Sequence, residues 1–209
     1  MKSYEDTENK IIGTLLRMPL ERRSLLQIAV DTKLSYVTVH KLIPFLVRKK
    51  LITLEKKGKA SLVSIDFEHA KLEKLSSAAL YEKNILLKKY RQLAFLVKEI
   101  EEGLSGKFYS LILFGSYAKE KSKKQSDIDL LFIVPKREDI EIYKEKINKS
   151  LKVYPTIKKD VKLASTADFM DMLDQKYTVG REAFQSGLVL FGIEHYYAMV
   201  KTYVRTRGY

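Results

Sequence analysis

The sequence of 209 residues has no cysteine, only three histidines and four prolines, and no apolar run near the roughly 18 residues that cross a bilayer as a helix. Without cysteine there is no disulfide framework, no thiol nucleophile and no thiolate-bound zinc. Three scattered histidines do not make a His-rich metal centre. Any metal therefore falls to carboxylates. The start, Met-Lys-Ser-Tyr-Glu-Asp-Thr-Glu, lacks the apolar stretch of a signal peptide, so the expectation is a cytoplasmic protein with no membrane partner.

The chain does have apolar residues enough for a core, 45% of its length, and a net charge of +13. An excess of lysine favours a polyanionic partner, although lysine-rich surfaces also serve solubility. Residues 1–66 hold 13 Lys and Arg against 7 Asp and Glu, and the other 143 hold 26 against 19, so positive charge is densest in the N-terminal third.

That third carries three helical patterns: Glu5 to Arg17, Ser24 to Thr32, and Ser35 to Lys50 with Ser35 as N-cap. Pro44 removes a backbone bond and crowds the preceding turn, which predicts a kink or an early end near Ile43. Two β-rich runs follow, Leu51 to Glu55 and Ala60 to Ile65, joined by Lys56-Lys57-Gly58-Lys59 as a turn. Three helices and a basic hairpin resemble the winged helix-turn-helix family. The resemblance implies double-stranded DNA as partner, with Ser35, Tyr36, Thr38, His40 and Lys41 toward base edges and Lys56, Lys57 and Lys59 on phosphate. Winged helices also serve as protein–protein or dimerisation modules.

From Lys71 to Gly103 there is no proline, and Leu72, Leu75, Ala79, Leu86, Tyr90, Leu93, Val97, Ile100 and Leu104 follow steps of three and four. One long helix, or two in line, is expected, with a break or wet patch near Glu82 and Lys83. Its first half is a candidate for pairing in a homodimer.

The densest chemical signal lies between Leu113 and Leu130, where Gly115-Ser116 is followed, ten residues on, by Asp127-Ile128-Asp129. Residues two apart on a strand point the same way, so both carboxylates share a face. The following Leu130-Leu131-Phe132-Ile133-Val134 is apolar on both faces, which predicts a central buried strand with its acidic end at the rim. Paired carboxylates there repel, and a divalent cation relieves them. The preceding strand, Phe108 to Phe114, delivers Gly115, whose missing Cβ lets backbone approach a ligand, and Ser116, a phosphate donor. Beyond Pro135 the patterns predict a helix from Arg137 to Ser150, a strand from Val153 to Ala164, a helix from Thr166 to Gln175 and another near Val179 to Gln185. Gly187 stands at a C′ position, followed by a strand Leu188 to Phe191 and a tyrosine-rich terminal helix.

This Gly-Ser, ten residues, Asp-x-Asp pattern resembles the nucleotidyltransferase superfamily typified by DNA polymerase β, in particular its minimal nucleotidyltransferase branch, over roughly residues 90–195. The resemblance implies transfer of a nucleoside monophosphate from an NTP, ATP by family analogy, to a hydroxyl, with two Mg²⁺ ions held by Asp127, Asp129 and a third carboxylate on a neighbouring strand. Asp160 is the positional candidate, although Lys158, Lys159 and Lys162 crowd it and one of them could pair it on the surface. Gly115, Ser116 and Lys119 are the candidate nucleotide-binding residues; Lys121, Lys123 and Lys124 fit a solvated loop as well as a phosphate contact. Branch members commonly carry Ala-Arg-Gly after Gly-Ser, where this chain has Ala118-Lys119-Glu120. An alternative is thus a DNA-binding transcriptional regulator whose transferase-like domain is inactive and only senses nucleotide or dimerises. The branch's habit of nucleotidylating toxins adds a toxin-like protein as a possible acceptor.

The expected fold is α/β in content, of the α+β type. It comprises a winged helix-turn-helix over residues 1–66, a long linking helix over 67–106, and over 107–209 a nucleotidyltransferase-like mixed sheet flanked by helices.

Overall fold

The computed structural model describes residues 4–58, 60–123 and 126–207. It divides into two units, residues 1–82 with 197–209, and residues 83–196.

The first unit opens with α1 (Tyr4–Leu16), then β1 (Arg23–Ser24), α2 (Leu25–Thr32) and α3 (Tyr36–Arg48). Ser24 begins α2 with a full capping box, its hydroxyl accepting from the Gln27 amide while the Gln27 side chain accepts from Ser24 N–H. Ser35 caps α3 as expected, accepting from the Thr38 amide at 3.0 Å. Of the two outcomes expected at Pro44, a kink or an early end, the early end does not occur: α3 runs through Pro44 to Arg48. Pro44 is exposed, while Val39, Leu42, Ile43 and Leu46 are buried on the other side, so packing outweighs one lost backbone bond. The hairpin is β2 (Ile52–Lys57) and β3 (Ala60–Ile65), with Lys57 opposite Ala60; Lys56 and Lys57 therefore belong to a strand, not to the turn. Gly58 takes the left-handed φ of +61° that the turn requires. β3 is central, between β1 and β2.

Next comes α4 (Leu72–Lys89), which runs unbroken through Glu82 and Lys83. Glu82 is not a wet patch. It is buried against Arg17 at 3.4 Å, and a Cβ on Gly13 would lie 2.5 Å from its Cγ. Glu8, also buried, is held by Lys49 at 2.9 Å. The helical stretch breaks instead at Tyr90, and α5 (Arg91–Gly103) begins the next turn. Residues 197–209 return to this first unit, where Lys201 and Arg205 donate to the carbonyls of Ala70 and Glu68.

The second unit is built on a four-stranded mixed sheet. Its elements are β4 (Ser110–Phe114), a single-turn α6 (Gly115–Ala118), β5 (Ile128–Val134), α7 (Ile140–Leu151), β6 (Lys159–Ser165), α8 (Thr166–Asp174), α9 (Val179–Ser186), β7 (Leu188–Phe191) and the start of α10 (Ile193–Arg207). The order is β6-β5-β4-β7, with β5–β6 parallel and the other two pairs antiparallel. β5 is inner and apolar on both faces, as expected. Ile128, Leu130, Phe132 and Val134 pack with Leu93, Leu96, Val97 and Ile100 of α5 and with Tyr143 and Ile147 of α7. Leu131 and Ile133, equally buried, alternate to the other face.

β6 starts six residues later than expected. Pro155 cannot donate to a ladder, and turns occupy residues 152–157 instead. Lys159 closes that segment, its ammonium donating to the carbonyls of Leu151 at 2.8 Å and Tyr154 at 2.6 Å. Gly187 is also at its expected boundary, but for another reason than a left-handed cap. Its φ is −87°, and a Cβ there would lie 2.2 Å from the Ala183 carbonyl oxygen and 2.7 Å from Ile112 Cγ2. Gly187 lets α9 turn directly into β7 beside β4. Gly187→Ala is accordingly expected to lower stability by about 1–3 kcal/mol, read as a fall in the urea midpoint.

Candidate active site

β5 and β6 run parallel with Asp129 directly opposite Asp160. Opposed residues on neighbouring strands share a face, so the two carboxylates lie side by side at the end of the sheet. On the other flank Asp129 is opposite Phe114, the last residue of β4. The chain then turns sharply at Gly115, whose φ is +66°, and a Cβ at this position would fall 1.9 Å from Asp129 Oδ2. Only glycine fits: the backbone is left-handed and the space is already filled by the carboxylate.

These residues line a cavity of about 640 Å³ together with Lys162, Tyr177, Thr178, Val179, Arg181, Glu182 and Gln185, a size ordinary for a small-molecule site. Burial and the neighbouring charges of Asp160, Glu182 and Asp127 hold the Asp129 carboxyl above the usual carboxylate range; Lys119 acts against them. Two lysines temper the negative charge. Lys162 pairs with Asp160 at 3.0 Å, and Lys119 pairs with Glu182 at 3.2 Å.

The structure thus brings together three of the residues singled out from sequence: Gly115, Asp129 and Asp160. Asp127 lies one residue before β5, exposed and outside the cavity lining, though close enough for its charge to act on Asp129. Ser116 is half-buried in the first turn of α6, and Lys119 reaches the cavity only through its pairing with Glu182. Glu120 has a left-handed φ of +53° and is paired with Lys89. Sequence reasoning missed Thr178, Arg181, Glu182 and Gln185. Their signal was available, since positions spaced by three, four and seven make one polar stripe along α9.

Among the described residues no group of three or more His, Asp or Glu side chains is arranged to hold a metal ion. The Asp129–Asp160 pair supplies the hard oxygen donors a divalent cation takes, and its mutual repulsion is of the kind a cation relieves.

In the first unit, Ser35, Tyr36, His40 and Lys41 are exposed and Thr38 is half-buried. The Ser35 and Thr38 hydroxyls bond one another at 2.8 Å, and the Tyr36 and His40 rings lie 6.0 Å apart. Lys56 and Lys57 are exposed along β2, whereas Lys59 and Lys124 lie outside the described residues.

Residues 98–196 match the family model described as "Polymerase beta, Nucleotidyltransferase", which supports a nucleotidyltransferase-superfamily domain in this part of the chain. The matched segment contains the whole mixed sheet and every residue of the cavity. No curated protein and no solved structure matches the chain. Among the described residues no helix is long and apolar enough to cross a membrane.

The position of Asp129 has a consequence for stability. A carboxyl whose folded-state pKa is raised holds its proton more tightly when folded, so its contribution is fully present below the unfolded pKa and is lost as pH rises through the raised value. The neutral Asp129→Asn is therefore expected to be more stable than wild type at neutral pH. The difference should vanish by about pH 3, where both are uncharged; denaturant midpoints at the two pH values measure it.

Proposed function

We propose that the chain is a nucleotidyltransferase that moves a nucleoside monophosphate from an NTP, ATP by family analogy, to a hydroxyl group. The observation that carries this reading is the Asp129–Asp160 pair, opposed on adjacent strands and pressed against a backbone turn that only Gly115 can make. Bound by Asp129 and Asp160, with Asp127 beside them, Mg²⁺ ions would neutralise the triphosphate and the departing pyrophosphate. In this reading Asp160 takes the proton of the attacking hydroxyl, whose oxygen forms the new bond to the α-phosphorus as the bond to pyrophosphate breaks. Gly115 admits the triphosphate close to the main chain, and the Ser116 hydroxyl is a donor to it. Lys119, freed from Glu182, supplies positive charge toward the same phosphates.

A second reading is favoured by specific observations: a regulator whose transferase domain is silent. Glu120 stands in a left-handed conformation at the position where the branch commonly has glycine, and Asp160 and Glu182 each already have a lysine partner. Calorimetric titration of ATP with and without Mg²⁺ separates the two. The transferase reading expects Mg²⁺-dependent binding to wild type, weakened at least tenfold in the Asp127→Asn/Asp129→Asn double variant. Absence of binding to wild type, also with the other NTPs, leaves the regulator.

The first unit is read as a winged helix that docks on double-stranded DNA. The order α1-β1-α2-α3-β2-β3, the sheet order β1-β3-β2 and the exposed Tyr36, His40, Lys41, Lys56 and Lys57 support it. α3 then faces the major groove and the β2–β3 hairpin lies on phosphate. Neutralising Lys56 and Lys57 together to alanine is expected to weaken DNA binding uniformly across sequences. The slope of log affinity against log salt should become shallower by about two, measured by fluorescence anisotropy from low to physiological salt.

A further inference from the structure

The lining of the same cavity includes the residues where α9 begins, Tyr177, Thr178, Val179 and Arg181. Tyr177 is unlike any other aromatic of this unit. Its side chain is 100% exposed, and its φ of +65° puts a bulky residue in the left-handed region. Left-handed non-glycine residues persist only where their surroundings over-determine them, and they cluster at ligand sites.

Those surroundings are rigid. The next residue, Thr178, caps α9 by accepting from the Arg181 amide at 3.2 Å, and its hydroxyl donates to the Met172 carbonyl of α8 at 2.7 Å. Gly180 seals the same corner, since a Cβ there would lie 2.7 Å from Met172 Cβ. Arg181 in turn donates to the Leu173 carbonyl. The tyrosine is thus carried on a hydrogen-bonded corner of backbone, fully exposed while lining the cavity. An exposed aromatic face on a hydrogen-bonded mount, lining a cavity that also presents Asp129 and Asp160, has the elements of a base-stacking platform: one part of the ligand is planar and apolar, the other takes cations.

We propose that Tyr177 stacks on the base of the nucleoside triphosphate bound in the Asp129–Asp160 cavity, and that this selects purine over pyrimidine nucleotides. The proposal rests on the nucleotidyltransferase reading and extends it to the class of donor. A purine presents the larger π-face, so the ring discriminates by stacking area without reading hydrogen-bonding edges. The phenol hydroxyl has no part in it.

The test is calorimetric titration of the full chain with ATP, CTP and inorganic tripolyphosphate, each with Mg²⁺, comparing wild type with Tyr177→Ala and Tyr177→Phe. Stacking predicts that wild type prefers ATP to CTP. Tyr177→Ala should weaken ATP about tenfold, abolish that preference and leave tripolyphosphate unchanged, while Tyr177→Phe behaves as wild type. The proposal is overturned if Tyr177→Ala leaves ATP affinity intact, if tripolyphosphate weakens in parallel, or if Tyr177→Phe is as weak as Tyr177→Ala, which would assign the hydroxyl. Wild-type binding of ATP indifferent to Tyr177 removes the stacking role alone. Failure of wild type to bind ATP or tripolyphosphate removes the transferase reading and the platform together.

Discussion

The second unit depends on one contact between main chain and side chain, the seating of the Asp129 carboxylate against Gly115. A charged group at the end of an otherwise apolar central strand is tolerated only where something compensates it. Here the backbone turns away at Gly115, and the strand end stays half open toward the cavity. The apolar run from Leu130 to Val134 anchors that strand from below, with helices covering both faces. The sheet thereby fixes where the acid stands, and the glycine decides how near another group can come to it.

Charge is distributed in layers around this point. Asp129 is surrounded by Asp160, Glu182 and Asp127, and the lysines that answer them, Lys119 and Lys162, belong to an exposed turn and to β6 itself. Both ion pairs are half-exposed, so each is worth little to the fold and can be exchanged at low cost. By contrast, the pairs Glu8–Lys49 and Glu82–Arg17 of the first unit put a buried carboxylate against a cation. Removing Lys49 would leave the buried Glu8 carboxylate without its cation. The chain thus keeps exchangeable ion pairs where chemistry is proposed and committed ones where only packing is at stake.

Much of this was legible in the sequence, and the limits are physical. The apolar run behind the Asp-x-Asp pair marks a central strand because it is short, rich in branched side chains and apolar on both faces. The cap at Ser35 is local, so local sequence suffices to find it. The pairing of Asp160 with Asp129 is not local: it depends on a parallel register across a helix, and the crowd of lysines near Asp160 argued equally for a surface pair. Both descriptions turn out to apply, since the carboxylate lines the cavity and still meets Lys162. The early end allowed at Pro44 does not occur because the buried face of α3, which single-residue propensity leaves out, outweighs it. The buried Glu82 depends on tertiary packing at Gly13 that helical periodicity does not report.

The segment before β6 carries a constraint of a different kind. Lys159 ties the start of the strand to the carbonyls that close α7 and the turn after it, and the very next residue is Asp160. A slip of one position in the parallel ladder would send every side chain of β6 to the opposite face, and Asp160 would leave the cavity for the packed side. Residues 152–158, mostly exposed, are consequently free in composition but fixed in length. In related chains this short stretch should drift in letters while resisting insertion and deletion, the reverse of what an ordinary surface loop does.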